Sequence, residues 1–132
     1  MDRVPLDANV LFSAADSPDS GLRALWRRRR LLLDSDYVVV EATRNLEAEA
    51  AHRRLETLLA VTERVVDARE PVDAAAERRL PESDRPVLRA ATAARASHLL
   101  SGDRRAFGVH YGARLGGVLI LRPADYLGSR RR

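Results

Sequence analysis

Four acids stand out by position: Asp7, Glu41, Asp84 and Asp103. Asp7 closes the short apolar run "RVPL" and precedes a second apolar segment, "NVLFSAA". A solvated loop acid needs no explanation, whereas a carboxylate at the C-terminal end of a strand lies where open α/β sheets bind ligands. Asp103 ends "HLLSGD" in the same way, Asp84 falls in the first turn of the helix leading into that strand, and Glu41 lies early in the helix after "LLLDS". Placed so, the four can converge on one cleft. Each also has a purely structural explanation. The helix macrodipole favours acids in a first turn, which accounts for Asp84 and Glu41. Gly102-Asp103 is an ordinary turn dipeptide, and Asp7 can cap the next helix. Their order along the chain is what favours a site.

Other chemistries have less support. The chain has no cysteine, so thiolate metal sites and disulfides are excluded. His52, His98 and His110 lack metal-ligand spacing, and His98 opens a buried strand. Ser13 lies in an apolar helix without a placed histidine to activate it. "GARLGG" lacks phosphate-loop spacing and reads as a turn before the last strand.

The elements that must position the acids follow from periodicity and turn signals. "RVPL" is a short strand and "NVLFSAA" begins a helix; "ADSPDSG" breaks the chain, with Ser20 placed to cap a helix over "GLRALWRRRR". "LLLD" is a buried strand. "SDYVVVEATRNLEAEAA" has three valines of strand propensity, but Val39, Ala42 and Leu46 share one helical stripe, and a helix is expected. "HRRLETLLAVTE" continues as a further amphipathic helix, "RVVDA" is a strand and "VDAAAERRL" is helical. After the break "PESD", "RPVLRAATAARAS" is a helix with Pro86 in its first turn. "HLLSGD" and "GGVLILRP" supply the last strands, the second ending at Pro123. Strands alternating with helices predict an α/β fold, a parallel β-sheet flanked by helices on both faces. Pro5 is an awkward member of an inner strand, because it lacks a ladder donor.

The 132 residues fit one domain over 1–132, with no internal repeat, linker or low-complexity segment. With 45% hydrophobic and 32% charged residues, the composition is that of a soluble globular protein. No secretory h-region or 18-residue apolar run is present, so a cytoplasmic protein without a membrane span is expected. The formal charge of +4 comes from arginine, since the chain has no lysine. That makes nucleic acid a permissible partner.

The blocks "VPLDANVLFSAA", "VVVEATRNL", "PESDRPVLRAATAARASHLLSGDRRAFG" and "LILRPADYL" together resemble the PIN-domain family, and within it the VapC-like toxins of type II toxin–antitoxin pairs. The resemblance spans nearly the whole chain. Its third block is the most specific: an acid opening an alanine-rich helix, then a Ser-Gly-Asp and a phenylalanine. The resemblance implies a PIN-like three-layer α/β/α fold and a metal-dependent endoribonuclease cleaving single-stranded or structured RNA. It places the acidic quartet on Asp7, Glu41, Asp84 and Asp103, holding one or two Mg2+ or Mn2+ ions, with Asn9 and Ser101 supporting them. Such hard cations prefer carboxylates and keep several waters. The resemblance further implies a small antitoxin protein as partner and a homodimer. Three departures stand out: Pro5 in the first strand, "DAN" where "DTN" is common, and Arg105 where relatives often carry another acid.

Arg85, Arg104 and Arg105 lie beside the acids and are candidates for holding a substrate phosphate. The runs at 27–30 and 130–132 can grip a phosphate backbone, or be a helix C-terminus and a solvated tail. Aromatic residues are 5% of the chain, which argues against extensive base stacking. Two alternatives stand beside the toxin reading: a housekeeping PIN nuclease without an antitoxin, and a non-catalytic PIN-like binding module.

Overall fold

The computed structural model describes residues 1–27 and 30–129. Among the described residues, six strands order the fold: β1 (Arg3–Pro5), β2 (Leu31–Ser35), β3 (Glu63–Val65), β4 (His98–Leu100), β5 (Arg114–Leu115) and β6 (Val118–Leu121). Two three-stranded groups, β1-β2-β3 and β4-β6-β5, meet at a parallel bridge between Leu6 and Leu100. The order across the molecule is thus β3-β2-β1-β4-β6-β5. Every pairing is parallel except β5 with β6, which is antiparallel and departs from the all-parallel expectation. The antiparallel pair is a tight hairpin through Gly116 and Gly117, whose φ values of 57° and 83° are those of a two-residue primed turn.

Pro5 explains why the sheet divides at β1. Alternate residues of a strand turn their N–H groups toward opposite neighbours. Leu6 donates to Leu33 O of β2 at 3.1 Å, whereas Asp7 donates to Leu100 O of β4 at 2.9 Å. Arg3 turns the same way as Asp7, and its N–H goes to Ser97 Oγ at 3.0 Å. The donor missing at Pro5 therefore falls on the β4 side, between these two bonds. An inner-strand proline is accommodated because the β1–β4 ladder is interrupted there and stitched by a serine side chain.

The inner strands are buried on both faces. Val4, Leu6, Leu99 and Leu100 are at most 1% exposed, although successive residues point to opposite sides. Only layers on both faces of a parallel sheet can achieve this, which gives the α/β/α build. The helices are α1 (Ala8–Asp16), α2 (Asp36–Asn45), α3 (Glu49–Leu59), α4 (Ala74–Glu77), α5 (Arg85–Ala93), α6 (Arg104–Phe107) and α7 (Pro123–Ser129). In α1, Val10, Leu11, Ala14 and Ala15 form one buried stripe, and Ser17-Pro18 ends it. In α5 the stripe is Val87, Leu88, Ala90 and Ala91. That helix closes with Ala96 N–H donating to Ala91 O and Arg95 N–H to Thr92 O, and Arg95 takes φ 56° where glycine is usual.

Several boundaries differ from the sequence expectation. The helix over "SDYVVVEATRNLEAEAA" stops at Asn45, and a separate helix starts at Glu49; the His52 ring donates from Nε2 to Leu46 O at 2.8 Å across the break. "GLRALWR" forms a 3-10 helix, with Ser20 Oγ accepting from Leu22 N–H as a cap and Trp26 Nε1 anchored to Leu58 O. Pro123 does not end the chain's last element; it opens α7 from the first helical position. Arg28, Arg29 and the run 130–132 lie outside the described residues. Among the described residues no helix is long and apolar enough to cross a membrane.

Candidate functional site

The four acids line one pocket of about 300 Å3 at the C-terminal edge of β1 and β4, together with Asn9, Phe12 and Asn45. Asp7 is the innermost, 4% exposed. It is also the N-cap of α1: Oδ1 accepts from Ala8 N–H at 2.8 Å, so the capping explanation holds for one of its oxygens. Oδ2 instead accepts from the Ser101 hydroxyl at 2.7 Å and faces the Asn9 amide at a long 3.5 Å. Ser101 in turn accepts from Asp103 N–H at 3.0 Å. A chain of hydrogen bonds thus runs from the loop after β4 to the carboxylate after β1. Asn9 contributes mainly elsewhere, through Oδ1 accepting from Gly102 N–H at 2.9 Å, which ties α1 to the same loop.

Asp103 has a dual position like that of Asp7. It caps α6 by accepting from the N–H groups of Arg105 and Ala106. Asp84 ends a 3-10 turn (Glu82–Asp84) and holds the N-cap place of α5 without making a capping bond, leaving its carboxylate to the pocket. Glu41 projects from the second turn of α2, with Tyr37 one turn before it and Asn45 one turn after. The Tyr37 hydroxyl donates to Ser83 O at 2.6 Å, fastening α2 to the turn that carries Asp84.

Among the described residues, no arginine lines this pocket. Burial raises the Asp7 pKa from its ordinary 3.8 to about 6 against the opposing hydrogen bonds from Ser101 and Ala8, and repulsion from Asp84 and Glu41 adds to the rise. The Asp84 pKa is raised by burial and by the charges of Asp103 and Glu41, and lowered by its bond from Ser83. These mutual repulsions connect all four carboxylates. Among the described residues, however, no three acids or histidines form a ready metal cage. The donor set is oxygen-rich and anionic, as hard cations require. It would supply part of a coordination shell, the rest coming from water or substrate.

Two neighbouring hollows share walls with this pocket. One, about 450 Å3, adjoins at Glu41 and is lined by Tyr37, Val40, Arg44 and Pro86. The other adjoins at Asn9 and includes Arg104. Of the three candidate phosphate-binding arginines, Arg104 thus belongs to an adjoining cleft. Arg85 gives its Nε to Leu80 O at 3.1 Å, and Arg105 is exposed on α6. Asn45, Phe12 and Tyr37 escaped the sequence reading. Two of them carried a signal, lying four residues either side of Glu41 on one helical face. The histidines are used in the scaffold: besides His52, His98 accepts or donates at Ser97 Oγ and packs edge-on to Tyr126, and His110 approaches Arg79 O at 3.2 Å.

The sequence matches no protein-family model and no curated protein. Its structure is similar to a chain in the crystal structure of VapBC2 from Rickettsia felis bound to a DNA fragment from their promoter. The TM-score is 0.60 at 16% identity, covering 90% of this chain and 97% of that one. The likeness concerns the fold, which is a PIN-like α/β arrangement of a parallel sheet flanked by helices.

Proposed function

We propose that the protein is a Mg2+- or Mn2+-dependent endoribonuclease and the toxin of a toxin–antitoxin pair. The observation that carries this reading is the pocket itself: four carboxylates from separate elements, one of them buried, with no arginine among the described lining residues. Such a concentration of like charge is unfavourable unless something cationic joins it. Asp7, Asp84 and Asp103 would hold the ion, and Glu41, exposed on α2, would bind a second ion or position the attacking water. A bound ion would supply Lewis acidity toward water and the phosphodiester. The chain's own contribution is orientation. Ala8 N–H and Ser101 fix both oxygens of Asp7, the two α6 amides fix Asp103, and Tyr37 steadies the Asp84 turn. The toxin assignment draws support from the fold shared with a chain of a toxin–antitoxin complex, and with it come a small antitoxin and a homodimer as proposed partners.

A rival reading, a non-catalytic binding module, draws on the lack of three acids at metal-caging distance among the described residues. One assay decides between them. Purified protein is incubated with single-stranded RNA in Mg2+, in Mn2+ and in excess chelator, beside Asp7→Asn. Cleavage is expected only with metal, and the variant is expected to lose roughly 100-fold or more, the scale of several kcal/mol of barrier. Cleavage unchanged in chelator defeats the metal-dependent reading, cleavage unchanged in the variant removes Asp7 from the site, and no cleavage under any condition defeats the nuclease reading. A further expression of both forms in a bacterial host tests the toxin role: growth arrest with wild type alone is expected.

A further inference from the structure

The cleft on the Asn9 side of the carboxylate pocket differs from it in charge. It has a volume of about 360 Å3, and its lining includes Asn9, Ser13, Gly102, Arg104 and Arg122, with no acid among the described residues. The fold explains why these residues meet. Gly102 and Arg104 follow β4, Arg122 follows β6, and the two strands are parallel neighbours, so both connections leave the sheet at the edge where Asp7 lies. Arg122 stands at the junction of β6 with α7, two positions after Ile120 has entered the core.

One guanidinium is available whole and the other in part, being ion-paired with Asp125. Arg104 has no acceptor for its side chain among the described residues. Arg122 gives Nε and Nη2 to Asp125 at 2.9 and 3.2 Å, leaving Nη1 without an acceptor among them. Its guanidinium carbon lies 5.9 Å from the Tyr111 ring centroid, and the Tyr111 hydroxyl donates to Ser101 O at 2.9 Å. Arg122 is therefore steadied by a carboxylate and a ring, one residue away from the serine that orients Asp7. Asn9 belongs to both hollows, so the surface runs without a break from cationic cleft to anionic pocket.

We infer that this cleft is a second phosphate subsite, in which Arg104 and Arg122 hold a backbone phosphate of the RNA strand beyond the scissile one, with the Ser13 hydroxyl as a further donor. The inference rests on the RNA-cleaving reading of the adjoining pocket and adds to it a direction for the strand. A phosphate needs a cation and hydrogen-bond donors rather than apolar area, which is what this cleft offers. The arginines also place positive charge where the strand must pass an otherwise repulsive acidic pocket.

The test is equilibrium binding of a fluorescein-labelled single-stranded RNA to the Asp7→Asn protein, across a salt series, by anisotropy. Adding Arg104→Ala or Arg122→Ala is expected to weaken binding by about three- to tenfold, and the pair to flatten the slope of log K against log salt by about 0.7, one phosphate of a single strand. Arg122→Lys should restore part of the loss. Arg114→Ala, on the marginal strand β5 and outside the lining of the cleft, should leave affinity and slope unchanged. A double variant that binds with the parent affinity and slope overturns the subsite, as does an equal loss on Arg114→Ala. So does a loss confined to binding of a glutamate-rich peptide, which would assign the cleft to a protein partner. The catalytic reading is read out separately in the metal-bearing wild-type background. Cleavage by the Arg104→Ala/Arg122→Ala double variant at the wild-type KM overturns the subsite and keeps the nuclease. Lost RNA affinity with no cleavage by wild type keeps the subsite and rejects the nuclease.

Discussion

Asp7 and Asp34 are both nearly inaccessible acids near the C-terminal ends of adjacent strands, at 4% and 3% exposure, yet their surroundings are opposite. Asp34 is matched in register with Arg64 of β3, which pairs with it, while the Thr62 hydroxyl donates to its other oxygen. Arg64 also reaches Asp36 at 2.6 Å. Glu77 is treated likewise, gripped by Arg89 from α5. Asp7 receives only neutral donors, a hydroxyl, a backbone amide and a distant carboxamide, and its charged neighbours are acids. With 23 arginines in the chain, countercharge is not scarce. The buried fasteners Asp34 and Glu77 are each given an arginine, whereas the described residues lining the pocket include none. That difference separates structure from site more sharply than burial does.

The largest effect expected from breaking this contrast is at Asp34. Asp34→Ala removes the partner of Arg64 and leaves the Thr62 hydroxyl without its carboxylate. It should cost about 3 kcal/mol, the low end for a broken buried pair, because Arg64 is 45% exposed and regains water. Denaturant unfolding measures it, and a loss under 1 kcal/mol would mean the pair fastens little.

At Asp7 the sign should reverse. The folded state keeps the Asp7 proton up to about pH 6, whereas an unfolded chain releases it near the ordinary 3.8. Between those values the folded state holds more protons, so this contribution is complete below pH 4 and is lost as pH rises through 6. Two units correspond to about 3 kcal/mol. Asp7→Asn escapes that loss but has one acceptor oxygen where two donors now meet a carboxylate, a cost of about 1 kcal/mol. The variant should therefore be more stable than wild type by about 2 kcal/mol at pH 8 in chelator, and less stable by about 1 kcal/mol at pH 4. Melts at both pH values check this; an unchanged sign would show that Asp7 is a fastener after all.

Added magnesium sharpens the same contrast. At ten times its dissociation constant it should stabilise wild type by about 1.4 kcal/mol, and Asp34→Ala by the same amount, while Asp7→Asn responds less. Thermal melts with and without magnesium decide it. The smallest effect lies far from both acids. Arg95 adopts φ 56° at the end of α5, so Arg95→Gly should stabilise the protein by up to about 1 kcal/mol and leave RNA cleavage unaltered.

Much of this was legible in the sequence wherever local pattern and tertiary fate agree. "LLLD" and "HLL" are uninterrupted apolar runs because both faces of those strands are covered, and the α5 stripe is visible because one face alone is buried. The positions of Asp7 and Asp103 at strand ends follow from the same runs. What depends on register was not legible. Asp34 opposite Arg64, Arg89 on Glu77 and Arg122 beside the loop after β4 are pairings across 12 to 30 residues or between neighbouring strands. Nothing in the local sequence separates these arginines from the others. Pro123 was ambiguous for a different reason: a proline can stop one element or start the next, and here it opens α7 after β6 has ended at Leu121.

The strands at the margins carry a consequence for self-assembly. The outermost strand on one side, β3, is three residues long and bears Glu63 and Arg64; on the other, β5 is two residues long and closed by a glycine hairpin. Short, charged margins give an incoming strand little ladder to copy, which guards the concentrated protein against edge-to-edge aggregation. Margins of this kind would leave the proposed pairing of two copies to helix faces, where side chains rather than backbone amides choose the partner.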